Sequence, residues 1–177
     1  MDPCSGDIHL RRATPDDAAS IAEVHVETWR EAYRDLLPEA ELRGLSVERR
    51  ETLWRRELES LHGDRRPWVA DVGGRIVGFV SAGAARDDDA DSRTGEVYAI
   101  YVRRACWDRG IGRHLLDHAV RDLRAWGYER ATLWCLAENA RTREFYERAG
   151  WAHDDTTRTE RVLDTDQSEV RYRRAIA

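Results

Sequence analysis

The sequence predicts a mixed α/β fold (α+β-like), in which helices flank a central sheet that is mostly antiparallel. The apolar pattern changes from the period of helices to that of strands near Pro67, and returns to the helical period near Gly110. Two successive strand-like segments around Gly73-Gly74 read as a hairpin, which rules out the strict strand–helix alternation of a doubly wound fold. With 177 residues we expect one domain, 1–177, whose residues 1–7 are disordered.

The N-terminal half is expected to hold a strand, two helices and the hairpin. IHLRRA is predicted as the first strand, and TPDD after it carries helix-start signals, with Thr14 as N-cap and Pro15 in the first turn. Apolar residues at helical spacing continue to Leu36, and Pro38 is expected to end that helix. A second amphipathic helix is predicted over SVERRETLWRRELESL, followed by the hairpin strands PWVADV and RIVGFVSAG.

The C-terminal half alternates strands and helices before a final strand pair. EVYAIYV is rich in β-branched and aromatic residues and predicts a strand. GIGRHLLDHAVRDLRAWG has an apolar stripe and a closing Gly127, which predict a helix. The strand ERATLWCLA, the helix NARTREFYERAG and two tail strands follow, the second being EVRYRRAI. The predicted order is therefore β-α-α-β-β-β-α-β-α-β-β.

Composition narrows the class of protein. The net charge is −5 with 36% charged residues, so the basic excess that nucleic-acid binding needs is missing. No segment has the length of a membrane span or the pattern of a signal peptide, and we expect a soluble, cytoplasmic protein without nucleic-acid or membrane partners. The three cysteines are far apart and form no C-x-x-C pair, which fits a reduced compartment.

The stretch RRACWDRGIGRHLL, residues 103–116, has the features of an anion-binding turn. A helix is predicted to start near Gly110, where its first backbone N–H groups lack partners and the helix dipole is positive. Gly110 and Gly112 have no side chains to keep an anion away, and Arg109 and Arg113 can add charged contacts. The alternative is a tight strand-to-helix turn without a ligand.

The motif by itself names no ligand. All 29 residues counted as lysine or arginine are arginine, so a P-loop lysine is excluded. The dinucleotide pattern G-x-G-x-x-G is broken by Leu115 at its third glycine. A nucleotide-binding enzyme therefore stays open as an interpretation, but neither of the usual nucleotide motifs supports it.

Two segments together resemble the GCN5-related N-acetyltransferase superfamily. They are EVYAIYVRRACWDRGIGRHLLDHAV and, about thirty residues on, LWCLAENARTREFYERAGW. The family patterns are [QR]-x-x-G-x-[GA] after the fourth strand and N-x-x-A-x-x-F-Y-x-x-x-G-[FW] after the fifth. The match is close over residues 95–151, although Trp107 stands where the family has Gln or Arg. The resemblance implies the acyl-CoA N-acyltransferase fold and acetyl-CoA as acetyl donor, with no metal.

The resemblance also implies which residues bind acetyl-CoA. The pantetheine arm would pair with main-chain groups of the fourth predicted strand, and an amide near Ile100 would polarise the thioester carbonyl. The main-chain positions implied are Ile100, Tyr101 and Val102. The pyrophosphate would lie on the turn formed by Asp108, Arg109, Gly110, Ile111, Gly112 and Arg113. Asn139 would contact the pantetheine arm, and its simpler interpretation is the N-cap of the next helix.

Two residues are implied to move protons. Transfer to an amine requires a base for the ammonium proton and an acid for the departing thiolate. Glu96 lies where many family members have the base, and its alternative is a solvated carboxylate at a strand end. Tyr146 matches the tyrosine that protonates the thiolate, and its alternative is a core aromatic residue. Trp29 and Tyr33, four residues apart on the first helix, are candidates for an acceptor pocket.

Other candidate sites are weaker. His114 and His118 have the i, i+4 spacing of metal ligands but are expected to be solvated. Asp87, Asp89 and Asp91 begin like an EF-hand loop without its glycine and glutamate, so we expect a mobile, solvated loop and predict no metal. Cys106 and Cys135 have no evident base and are not expected to act as nucleophiles.

The leading hypothesis is an acetyl-CoA-dependent N-acetyltransferase that transfers acetyl directly to the primary amine of a small molecule. Two alternatives remain, a non-catalytic CoA-binding regulatory or interaction module and an acetyltransferase for protein N-termini or side chains. A homodimer is compatible with the exposed tail strands.

Overall fold

The computed structural model describes residue 4 and residues 6–177. The strands are β1 (Ile8–Arg12), β2 (Trp68–Val72), β3 (Arg75–Ala84), β4 (Thr94–Val102), β5 (Arg130–Leu136), β6 (Ala152–Val162) and β7 (Thr165–Ala175). The α-helices are α1 (Ala18–Ala32), α2 (Glu39–Arg43), α3 (Val47–Ser60), α4 (Ile111–Ala125) and α5 (Ala140–Arg148). In this part of the chain no helix is both long and apolar enough to cross a lipid bilayer.

The seven strands form one sheet in the order β1-β2-β3-β4-β5-β7-β6. All neighbouring strands are antiparallel except β4 and β5, which are parallel. A parallel pair needs a crossover connection, and α4 supplies it. The predicted mixed, mostly antiparallel sheet flanked by helices is confirmed.

The parallel strands β4 and β5 stay together over a short distance only. They pair from Thr94↔Arg130 to Glu96↔Thr132 and then separate. The register of β3 and β4 shifts between Ser81 and Ala82, which leaves Tyr98 as an extra residue on β4. Such a bulge bends a strand and increases its twist. The C-terminal half of β4 therefore diverges from β5, and a gap opens between two strands of the same sheet.

Helices cover both faces of the sheet. The α4 and α5 face carries the larger core, which includes Leu115, Leu116, Leu123, Leu133 and Tyr172. The α1 and α3 face is packed around Ile21, Val24, Leu58 and Phe79. A third apolar cluster joins α2 to the end of β5 and to the β6–β7 hairpin through Leu37, Leu42, Leu136 and Val162. This third cluster lies beside the gap.

The first helix is shorter than predicted, and a third helix precedes the hairpin. Helix α1 ends at Ala32, and the amides of Leu36 and Leu37 both bond to the carbonyl of Tyr33 in a turn. The predicted order therefore lacked α2. Leu37 packs against the separate cluster of Leu42 and Leu136 rather than against the core of α1, so tertiary packing overrides the helical period there.

The N-terminal segment is attached to the turn before α4. Cys4 and Cys106 form a disulfide with their Cα atoms 5.6 Å apart, and Cys4 is buried. The cysteine spacing gave no sign of this bridge, because 102 residues of sequence separate two positions that the fold brings together. Of residues 1–7, which we expected to be disordered, residues 1–3 and 5 lie outside the described residues.

Candidate active site

The turn before α4 has the geometry of an anion cradle. Gly110, the N-cap, has φ +78°, a left-handed conformation that favours glycine. The first helical bond inside α4 runs from the His114 amide to the Gly110 carbonyl, at 3.0 Å. The preceding amides therefore have no partner within the helix, and the Gly110 side of the turn carries no side chain that could cap them. The residues present fit a pyrophosphate group.

The arginines of this turn already have partners. Arg113 pairs with Asp117 at 3.1 Å, and Arg109 donates to the Cys4 carbonyl at 3.0 Å. Both guanidinium groups would therefore have to share or leave these partners to contact an anion.

Trp107, which replaces the Gln or Arg of the family pattern, fixes the shape of the turn. Its indole N–H donates to the carbonyl of Val102 at 2.7 Å. The guanidinium of Arg141 lies over its ring at 4.3 Å and also pairs with Asp108 at 3.1 Å. Arg141 was not singled out in the sequence, and it links the start of α5 to the turn.

The predicted main-chain positions line one side of the gap. Ile100, Tyr101 and Val102 pair with Val80, Phe79 and Gly78 of β3 along one edge of β4. Their other edge faces the region where β5 has moved away. A strand with one unpaired edge offers amide and carbonyl groups to a ligand that carries amides of its own.

Asn139 lies on the β5 side of the gap, three residues after the end of that strand. Its side-chain oxygen accepts from the amide of Thr142 at 3.2 Å, and α5 begins at the next residue. The N-cap interpretation is confirmed.

Tyr146 is a buried residue of α5 with its ring next to those of Phe145 and Trp151. Burial raises its pKa well above the ordinary value, and nearby Cys135 and Tyr101 add to the shift. Burial also raises the pKa of the Cys135 thiol to about 12. Both groups therefore keep their protons at neutral pH.

Three tyrosines meet at the gap. Burial, followed by the neighbouring Tyr101, holds the pKa of Tyr33 well above its ordinary value, and Tyr146 contributes as well. The structure thus brings together α1, β4 and α5. Trp29 packs edge-on against Tyr33 with ring centroids 5.1 Å apart. The side chain of Tyr101 was missed in the sequence analysis, which considered only its main chain; the alternation of faces along β4 is the signal that could have found it.

Glu96 lies on β4 just before the gap opens. Only 3% of its surface is exposed, so a solvated carboxylate was the wrong alternative. Its Oε2 accepts from the amide of Arg86 at 2.9 Å, and its Oε1 accepts from the guanidinium at 2.6 Å. The same guanidinium lies 4.2 Å over the ring of Tyr98. Arg86 was missed because the loop after β3 carries no periodic pattern.

The acidic loop after β3 is held in place by ion pairs. Asp87 accepts from the indole of Trp134 at 2.9 Å, and Asp89 pairs with Arg171 at 2.7 Å. Asp91 accepts from the hydroxyl of Thr94 at 2.7 Å. Asp89 and Asp91 stay about half exposed, as a solvated loop requires, but the loop is also tied to β7 through the buried Arg171, which the sequence did not predict.

The paired histidines of α4 do not form a metal site. The ring of His118 packs edge-on against Trp68 at 4.5 Å and bonds to Arg121, so it is not simply solvated as expected. Among residues 4 and 6–177 no group of three or more His, Cys, Asp or Glu side chains could hold a metal ion.

Strands β4 and β5 separate after Glu96, and the turn before α4 leaves its first amides without a helical partner. This arrangement is of the acetyltransferase type. The model of the Acetyltransferase (GNAT) family matches residues 24–151. The chain belongs to this family and is an N-acetyltransferase by class.

Two curated relatives and one solved structure are similar over most of the chain. The uncharacterized N-acetyltransferase YuaI of Bacillus subtilis is 32% identical over 133 residues, 75% of this chain and 73% of its own. The protein named "Probable N-acetyltransferase Rv2775", of Mycobacterium tuberculosis, is 30% identical over 88% of this chain and 86% of its own. YncA of Salmonella typhimurium, solved with acetyl-CoA, has a TM-score of 0.71 at 18% identity, covering 97% and 95%. That last likeness concerns the fold.

Proposed function

We propose that this protein transfers the acetyl group of acetyl-CoA directly to the primary amine of a small molecule. The observation that carries the proposal is the gap between β4 and β5, with the amide cradle at its end and Glu96 and Tyr146 on the strand and helix beside it. When bound, acetyl-CoA supplies the activated acetyl thioester. Cofactor binding and proton transfer would use side chains and main-chain groups of this chain.

Binding would use backbone groups first. The backbone amides of the turn from Asp108 to Arg113 would hold the pyrophosphate at the positive end of α4. The edge of β4 at Ile100, Tyr101 and Val102 that faces the gap would pair with the pantetheine amides, although the Val102 carbonyl already accepts from Trp107. Asn139 would contact the pantetheine arm from the β5 side, although its Oδ1 already caps α5. An amide near Ile100 would polarise the thioester carbonyl.

Glu96 is proposed to accept the proton of the acceptor ammonium, directly or through water. A buried carboxylate beside the gap is suited to that role if the amine reaches its oxygens. The guanidinium of Arg86 now occupies both of them. The ammonium group of the acceptor would therefore share the Glu96 carboxylate with Arg86 or displace the guanidinium from it.

Tyr146 is proposed to protonate the departing thiolate through its hydroxyl. The phenol is protonated at neutral pH, so a proton is present when the C–S bond breaks, although burial raises its pKa and makes that proton harder to release. The neighbouring Tyr33 and Tyr101 would bound the acceptor side of the gap.

The tip of the β6–β7 hairpin, which packs on α2 beside the gap, favours a small acceptor. Glu41 of α2 accepts from the amide of Asp164 at 2.9 Å and from Thr165 at 3.1 Å. Val162 packs into the same apolar cluster as Leu42. The hairpin tip is therefore fixed over α2, next to Trp29 and Tyr33, which leaves less room for a folded protein acceptor.

The test is a steady-state assay with acetyl-CoA and a panel of primary amines, which reports free CoA thiol. Tyr146→Phe is expected to lower kcat at least tenfold and to leave the KM for acetyl-CoA unchanged. The matched control is Tyr128→Phe, which changes a partly buried tyrosine just after the C-terminal end of α4. An unchanged kcat in Tyr146→Phe removes its acid role. Binding of acetyl-CoA without transfer to any amine would favour a regulatory module instead.

A further inference from the structure

A second cavity lies on the opposite edge of β4 from the cofactor gap. Its volume is about 340 Å³, within the range of small-ligand pockets. It is bounded by the second half of α1, the start of β3 and the segment from Arg103 to Cys106. The amide of Arg103 bonds to the carbonyl of Val77 on β3, at 2.8 Å. Since β3 flanks β4 on the side away from β5, this cavity is separate from the gap.

The walls of the cavity carry excess positive charge. Four arginines and two glutamates line it, which gives a formal net charge of +2. Both carboxylates are engaged, since Glu27 pairs with Arg103 and Glu31 pairs with Arg104. Arg30 donates to the carbonyl oxygens of Leu42 and Leu45, which are neutral acceptors. The charges of Arg30 and Arg75 therefore exceed what the lining glutamates neutralise.

A buried hydroxyl points to a ligand at the same place. Thr28 lines the cavity and is 5% exposed, yet its Oγ1 has no hydrogen-bond partner within the described residues. A threonine in a helix commonly bonds the carbonyl one turn before it, and Thr28 does not. Leaving a buried polar group unpaired costs about 1–3 kcal/mol, so a ligand oxygen that accepts from Thr28 would recover that cost.

We propose that this cavity binds a small organic oxyanion, carrying a phosphate or a carboxylate group. The hydroxyl of Thr28 and the guanidinium of Arg75 would donate to its oxygens. Charge-assisted bonds of this kind are the stronger ones in proteins, and the remaining volume would hold the organic part of the ligand. The site does not depend on the proposed acetyl transfer.

The test measures binding of three probes by isothermal titration calorimetry: inorganic phosphate, glycerol 3-phosphate and succinate. Titrations are run at equal ionic strength set with sodium chloride, and again with saturating CoA so that the amide cradle is filled. At least one probe is expected to bind in both conditions. The phosphate and carboxylate arms distinguish the two headgroups.

Two variants locate the binding. Thr28→Val keeps the shape and removes the hydroxyl, and Arg75→Gln removes a surface charge; each is expected to weaken binding about tenfold, or about 1.4 kcal/mol. The matched control Arg56→Gln changes an exposed arginine of α3 outside the cavity and should alter affinity less than twofold. Absence of binding by all probes overturns the proposal, and so does equal affinity in wild type and both variants. Circular dichroism checks that each variant is folded.

Discussion

Reduction of the Cys4–Cys106 disulfide is expected to destabilise the protein strongly. The bridged residues are 102 positions apart, so the cross-link closes most of the N-terminal two thirds of the chain into a loop. In the chain-entropy account, a loop of about 100 residues restricts the unfolded state by about 4.7 kcal/mol. Reduction returns that freedom to the unfolded chain and lowers the free energy of unfolding by up to this amount.

The assay is urea unfolding followed by tryptophan fluorescence, with and without reductant. With a slope of about 2 kcal/mol per molar urea, the midpoint should fall by about 2 M on reduction. The seven tryptophans supply the signal. Cys4→Ser should unfold at the midpoint of the reduced wild type and should not respond to reductant. Cys135 has a buried thiol outside the bridge, so it serves as the internal control: it is a free thiol both before and after reduction.

The result that refutes this reasoning is specific. If mass spectrometry finds the bridge in the oxidised protein but reduction changes the unfolding free energy by less than about 1 kcal/mol, the loop-entropy argument fails. If three free thiols persist under oxidising conditions, the bridge itself is wrong.

Three further outcomes are expected. Gly110→Ala forces a Cβ into a left-handed conformation and should cost about 1 kcal/mol of stability while weakening CoA binding; Gly127→Ala, also at positive φ (+92°) but remote from the turn, should cost stability alone. Asn139→Ala removes the N-cap of α5 and should lower the unfolding free energy by about 1 kcal/mol in the same urea assay. Burial lowers the pKa of His25 to about 3, so it stays neutral in the folded state and binds its proton only on unfolding. The contribution of neutral His25 to stability is full above about pH 6.5 and is lost as the pH falls toward 3, with a slope of about 1.4 kcal/mol per pH unit. His25→Gln should therefore make the urea midpoint depend less on pH between pH 6.5 and 4. A dependence as steep as that of the wild type would contradict the assignment.

Local patterns predicted most of the fold because each depends on a few neighbouring residues. The hairpin at Gly73-Gly74 follows from two residues that adopt positive φ at no steric cost, and both do so. The helix after Gly110 follows from its apolar stripe. The first helix was predicted to be too long because Leu36 and Leu37 continue the helical period. Both pack in the third apolar cluster rather than in the core under α1.

In the candidate site, too, local motifs could be predicted from the sequence and contacts between distant elements could not. The cradle and Asn139 belong to contiguous motifs and were predicted from them. The pairing of Arg86 with Glu96 and the meeting of Tyr33, Tyr101 and Tyr146 could not be predicted, because each joins side chains from different elements.

The periodicity of the elements, the glycine turn and the motif pair that resembles the acetyltransferases could all be recognised in the sequence. The tertiary structure alone decided that β4 and β5 separate after Glu96, that Arg171 fixes the acidic loop, and that Cys4 reaches Cys106. The physical reason is range. Backbone conformation and amphipathic period are set by residues a few positions apart, whereas strand divergence, buried ion pairs and cross-links depend on which distant segments the closed core brings into contact.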